Sequence, residues 1–152
     1  MHSLRSILVP IDFSDPAHHA LQWAMELAGR YNAKVTLLNV YPVPGYVLPD
    51  GFVTAGPEVL NEIEAKTKAS LEQLADAQRQ GTNVTVEVAT AVGQSSTEIL
   101  RYAEQHPIDL IAMGAHGRTG LALMLLGSTT DKVVRQAKCP VMVVPAAKGP
   151  SR

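Results

Sequence analysis

The chain has 152 residues, 46% of them hydrophobic, which suits one domain over residues 1-152 with a single substantial core. Its 13 basic and 14 acidic residues leave a formal net charge of -1, so no bulk field draws it to nucleic acid or to an anionic membrane. The single cysteine, Cys139, excludes an internal disulfide or a cysteine-based metal cluster, and it reads as a small buried hydrophobe.

At the N-terminus Arg5 precedes a short apolar run, Ile7 to Val9, which Pro10 and Asp12 interrupt before a signal-peptide core is complete. No stretch is long enough to span a bilayer, and a soluble, cytoplasmic protein is expected. Five apolar runs of strand length follow: Ser6 to Ile11, Val35 to Val40, Val84 to Val88, Ile108 to Met113 and Val141 to Val144. The third alternates, with Thr85 and Glu87 between valines, and reads as an edge strand; the others are nearly continuous, as strands covered on both faces are.

Between these runs lie four segments with helical spacing. They are Ala17, Leu21, Ala24 and Ala28; Leu60, Ile63, Thr67, Leu71 and Leu74; Ile99 and Ala103; and Val133, Val134 and Ala137. Ser14 is suited to cap the first, Ser95 or Ser96 the third, and Ser128 the last. Strict alternation of strand and helix predicts an α/β fold with a five-stranded parallel sheet, order 3-2-1-4-5, and helices on both faces. That order creates a switch point beside the first strand, so Asp12 to Ser14 and Gly114 to Gly120 should line a crevice.

One segment departs from the plan. Tyr41 to Gly56 is rich in proline and glycine, carries Tyr46 and Phe52, and is too long for an ordinary connector. It reads equally as a lid over the crevice and as a surface excursion.

After the fourth strand the chain reads Gly114-Ala115-His116-Gly117-Arg118-Thr119-Gly120, an apolar stretch, then Gly127-Ser128-Thr129-Thr130 and a helix. Glycine permits positive φ and lets an anion approach the backbone, and the free amides of a helix N-terminus suit phosphate oxygens. Ser128 and Thr129 add hydroxyl donors, and Arg118 is the cation of the loop. His116 reads as a residue that shapes the loop, while adjacent His18 and His19 diverge on their helix and do not chelate. Trp23 reads as half-buried packing on the sheet.

Gly114, Gly117, Gly127 and Ser128 form a Gly-x-x-Gly, nine residues, Gly-Ser pattern that resembles the ATP-binding motif of the universal stress protein family. The likeness covers nearly the whole chain, from Ile7-Leu8-Val9-Pro10-Ile11-Asp12-Phe13-Ser14 through Val92-Gly93 to Cys139-Pro140-Val141-Met142-Val143-Val144. The resemblance implies a Rossmann-like, adenine nucleotide alpha hydrolase-like fold that binds ATP or a related adenine nucleotide. It sets the motif glycines and Ser128 on ribose and phosphates, and Asp12 and Val40 on the adenine and ribose side. Pro10, Met113, Thr129 and Thr130 are further pocket positions, and Mg²⁺ would arrive with the nucleotide near Asp12. The same resemblance implies a homodimer paired through Val141 to Val144. Ala115 and Thr129 depart from the family pattern, where a serine and an aliphatic residue are common.

Rival sites on related folds lack their residues. There is no Gly-x-Gly-x-x-Gly after the first strand, no Gly-Lys-Ser or Gly-Lys-Thr, and no lysine directly after Val144 as a phospho-acceptor receiver domain needs. The expectation is a nucleotide-dependent regulator of stress survival. The alternatives are a slow ATPase or autophosphorylating enzyme, which the missing P-loop lysine disfavours, and a nucleotide-independent interaction module. Valine at Gly114 or Gly127 is expected to abolish binding and leave the fold intact.

Overall fold

Ser6–Pro10 (β1) runs as Ile7, Leu8 and Val9, all fully buried, because both of its sides are flanked by strands and both of its faces by helices. The computed structural model describes residues 2–117 and 125–147. Within them the elements that follow β1 are Asp15–Tyr31 (α1), Lys34–Tyr41 (β2), Gly45–Leu48 (β3), Gly51–Thr54 (β4) and Pro57–Arg79 (α2). Val86–Val92 (β5), Ser95–Gln105 (α3), Leu110–Gly114 (β6), Ser128–Gln136 (α4) and Val141–Val144 (β7) complete them. The main sheet has the order β5-β2-β1-β6-β7 with every pair parallel, which is the expected 3-2-1-4-5 once the two extra strands are set aside.

Register sorts the side chains into two layers. Ile7 faces Val35 and Val9 faces Leu37, and these four pack with Ala112 beneath Ala17, Leu21, Ala24 and Ala28 of α1 and Leu71 and Ala75 of α2. The intervening Leu8, Leu38, Ile111 and Met113 point to the opposite face, against Ile99 of α3 and Val133 of α4. Each buried branched side chain contributes about 1.5–3 kcal/mol relative to exposure. The alanines at four-residue spacing let α1 sit close on the sheet, whereas Trp23, off that stripe, is half exposed rather than packed on the sheet.

Ser14 caps α1 as expected, accepting a bond from the Ala17 amide at 3.3 Å, and Asn32 ends the helix at φ 55°. The other two expected caps differ. Gln94, not Ser95 or Ser96, is the cap residue of α3, and Gly127, not Ser128, that of α4; neither helix has a side-chain cap. The serines instead lie within the first turns, where their amides are among those a helix leaves without internal partners.

The first and second strands differ from their expected bounds by single residues, and the third and fourth by more. The third begins at Val86 and runs on to Val92, because it pairs with β2 all the way to Tyr41, while the Val84 amide is engaged in a turn by Thr82 Oγ1. The fourth begins at Leu110, since the Asp109 carboxylate accepts the Arg5 and Ser6 amides at 2.8 and 3.0 Å and closes the preceding turn. Cys139 is half-buried, not fully buried as expected. The Tyr41 to Gly56 segment forms an antiparallel hairpin of β3 and β4, turned at Pro49 and Asp50, with both strands exposed. Among the described residues no helix is long and apolar enough to cross a membrane.

Candidate functional site

At the switch point the chain leaves β1 for α1 on one face of the sheet and leaves β6 for α4 on the other. The divergence opens a cavity of about 240 Å³ at the strand ends. Pro10 and Asp12 enter it from β1 and its following turn, Val40 from β2, Met113, Gly114 and Gly117 from β6 and its loop, and Gly127, Ser128, Thr129 and Thr130 from the start of α4. These are all the expected site residues except Arg118, which lies outside the described residues, so the structure brings ten of them to one cavity.

The cavity is chemically two-sided. On the β2 side its wall is Leu38, Val40 and Ile99, which is apolar. Across β1, on the β6 side, lies the first turn of α4, whose amides have no side-chain cap and carry the partial positive charge of a helix N-terminus. This turn is held down at two points. Thr130 Oγ1 donates to the Gly114 carbonyl at 2.8 Å, and the Gly127 amide donates to the Ala115 carbonyl at 2.8 Å.

Between the two sides stands Asp12. Its Oδ1 accepts the Ser14 amide at 3.0 Å and also the Ser14 hydroxyl, so one carboxylate braces the turn that starts α1. The residue between them, Phe13, has φ 61°, an uncommon conformation for a bulky side chain, and its ring packs on the core. Asn39 steadies the same turn from β2, donating from its buried amide to the Ile11 carbonyl at 2.7 Å. His116 lines the cavity, with its Nδ1 enclosed and without a hydrogen-bond partner among the described residues.

Of the two reasons expected for the motif glycines, backbone freedom does not apply. Positive φ among the described glycines occurs at Gly51, Gly81 and Gly93, and at none of Gly114, Gly117 or Gly127. Their reason is proximity. A Cβ on Gly114 would stand 2.9 Å from Pro16 Cβ and 3.0 Å from the His116 carbonyl, and one on Gly117 would stand 2.9 Å from Asp12 Oδ2. Gly127 is different, because a Cβ there meets nothing nearer than 3.6 Å. Valine at Gly114 therefore presses on the contact of β6 with α1 and costs stability as well as binding room.

Sequence reasoning missed Leu38, Ser95, Ile99, Ala17 and Ile11 as cavity residues. Leu38 was within reach, since it lies two residues before Val40 and so on the same face of β2. Ile99 and Ser95 depend on where α3 lands, which no local spacing reveals. Of the described residues that line the cavity none comes from 41–56, so the hairpin is not a wall of it. Among the described residues no three His, Cys, Asp or Glu side chains are grouped to hold a metal ion.

A family model for the universal stress protein family matches residues 3–145. The chain is 33% identical over 146 residues to universal stress protein MJ0531 of Methanocaldococcus jannaschii, covering 95% of this chain and 84% of the relative. Its structure is similar to that of universal stress protein UspA from Lactobacillus plantarum, with a TM-score of 0.74 and 34% identity, covering 95% of this chain and 99% of that one. Two more distant structures share the fold. One is a universal stress protein in complex with cAMP, at a TM-score of 0.69 and 23% identity, covering 96% of this chain and 100% of that one. The other is an Arabidopsis thaliana family protein with AMP bound, at 0.61 and 19%, covering 97% of this chain and 96% of that one.

Proposed function

This chain belongs to the universal stress protein family, and from that premise we propose that its switch-point cavity binds an adenine nucleotide, with ATP as the physiological ligand. The observation that carries the reading is the two-sided cavity, with the apolar Leu38, Val40 and Ile99 opposite the uncapped first turn of α4. A purine ring gains from burial against the first wall, and phosphate oxygens accept from the amides of Ser128, Thr129 and Thr130 at the second. At about 240 Å³ the cavity is smaller than the ~300–1,000 Å³ of enclosed ligand sites, so the terminal phosphates extend out along the Gly127 side. Relatives of this fold with cAMP and with AMP bound support an adenine ligand.

Mg²⁺ in this reading travels with the phosphates, close to Asp12, and is not a resident ion of a protein cage. Among the described lining residues only Asp12 and His116 are ionisable, so none offers a fixed cation to offset charge developing in phosphoryl transfer. Retention of the nucleotide, with its state regulating a stress response, is the function this chemistry favours. β7 ends the sheet and pairs with the same strand of a second copy to form a homodimer.

The test is a calorimetric titration of nucleotide-stripped protein with ATP and Mg²⁺, followed by competition with AMP and cAMP. Saturable binding displaced by the other adenine nucleotides is expected. Absence of both heat and competition would remove the nucleotide site and leave an interaction module.

A further inference from the structure

The ladder between β1 and β2 stops one bond early at the cavity. Along β2 the backbone alternates its partners: the Lys34 amide donates to the Arg5 carbonyl and the Leu38 carbonyl accepts the Ile11 amide at 2.8 Å, both on the β1 side. The Val35 amide and the Tyr41 carbonyl instead bond Thr85 and Gly93, at the two ends of β5. This parity directs the Val40 amide toward β1, where its ladder partner would be the Ile11 carbonyl. That bond is not made. Among the described residues the Val40 N–H has no backbone acceptor, and Val40 lines the cavity.

A side chain takes its place. Asn39, only 9% exposed, donates from Nδ2 to the Ile11 carbonyl at 2.7 Å. Ile11 is itself buried, and a buried carbonyl without a donor is costly, so the side-chain amide does there what the main-chain one would otherwise do. The replacement falls where β1 has ended and the chain turns away through Phe13 at φ 61°, a conformation that persists only when its surroundings hold it. Asn39 therefore anchors the residue immediately before Asp12 and, by the same bond, leaves the next residue of its own strand unpaired.

We propose that Asn39 is a positioning residue for the base side of the cavity: by occupying the Ile11 carbonyl it keeps the Val40 N–H open to an acceptor nitrogen of a bound purine. The inference rests on the nucleotide reading above and adds to it the residue that holds this donor free. Asn39 is not itself among the cavity-lining residues, so it acts through Ile11 and Val40 and not by contact with the ligand. A purine ring nitrogen carries a lone pair in the plane of the ring. A main-chain N–H at the edge of the apolar Leu38, Val40 and Ile99 wall complements it, and a closed ladder would withdraw that donor.

The experiment uses the full chain with Asn39→Ala and, separately, Asn39→Leu. Both lack the donor, while one removes volume and the other adds it, so an effect shared by the two reports on the lost hydrogen bond; a cooperative urea transition verifies that each folds. Hydrogen exchange followed by NMR without ligand reads the Val40 amide directly. In the unsubstituted chain it should exchange faster than the ladder-bonded Leu38 amide, and in the variants it should slow by about tenfold as it closes onto Ile11. Calorimetry should then show affinity for adenosine and for ATP falling by the same factor, about fivefold or more, because the lost contact is to the nucleoside. A Val40 amide that is already protected in the unsubstituted chain, or that stays unprotected in both variants, overturns the proposal. So does a loss confined to ATP, which would place the effect at the phosphates. Unchanged affinity in the variants, with an unsubstituted chain that binds, removes the role of Asn39 and leaves the nucleotide site standing; an unsubstituted chain that binds neither adenosine nor ATP removes both.

Discussion

Thr130 donates its hydroxyl to the Gly114 carbonyl at 2.8 Å from a position that is almost wholly buried. The bond joins the last residue of β6 to the first turn of α4 and thereby sets the distance between the two motif segments. Thr130→Val keeps the volume and leaves the Gly114 carbonyl without this donor inside the fold. The expected loss is about 1–3 kcal/mol, read as a lower urea midpoint with an unchanged slope, together with weaker ATP binding.

The motif glycines separate folding from binding. Gly114→Ala drives a Cβ into Pro16 at 2.9 Å and should cost about 1–3 kcal/mol by overpacking. Gly127→Ala has ordinary clearance at 3.6 Å and φ of -58°, so its stability cost, that of alanine at a helix cap, is expected to stay near about 1 kcal/mol. A fall in ATP affinity of about tenfold in that variant, measured by calorimetry, would therefore report on the ligand's approach to the backbone. Unchanged affinity would move the phosphates away from Gly127.

The β7 edge can be tested without touching its inner ladder. The Ile111 amide donates to the Pro140 carbonyl and the Ala115 amide to the Val144 carbonyl, so even-numbered residues of this strand bond β6 and odd-numbered ones face outward. Val143→Pro removes an outward N–H and leaves the β6 ladder in place. The prediction is loss of the β7-paired dimer in sedimentation, with a cooperative thermal transition retained. A dimer that survives in this variant places the interface elsewhere.

Alkaline pH should weaken the fold in a defined direction. Burial pushes the Cys139 thiol above its ordinary value of 9.0, and burial, aided by Glu64 and Glu87 respectively, pushes the Tyr41 and Tyr102 phenols above 10.0. The native state favours the protonated form of all three, so their contribution is complete below the unfolded values and is lost as pH rises through the raised native ones. Urea midpoints should thus be flat to about pH 8 and fall from about pH 9 upward. The penalty of Cys139→Ala should be smaller at about pH 10 than at about pH 7, and an equal penalty at both would show that the thiol does not couple to folding.

Much of this protein is written locally. Alternation and four-residue spacing determine which residues of β1, β2 and α1 face inward, because periods of two and of 3.6 are properties of the backbone itself. The order of the main sheet follows as well, since parallel strands need crossovers and few arrangements satisfy them. The glycine-serine pattern identified one wall of the cavity for the same reason: a loop that returns to a helix start is a local feature.

What only the tertiary structure decided depends on surfaces that meet from distant parts of the chain. The landing of Ile99 beside Val40, the contact of Gly114 with Pro16 and that of Gly117 with Asp12 are packing outcomes between residues far apart in sequence. The sequence offers backbone freedom and open approach alike as reasons for the motif glycines, but which atoms lie opposite Gly114 and Gly117 is a matter of packing. The apolar hairpin shows the same division. Its proline and glycine content was legible, but that both faces stay largely exposed among the described residues is a fact of three-dimensional arrangement, because only the placement of the other elements shows what is left uncovered.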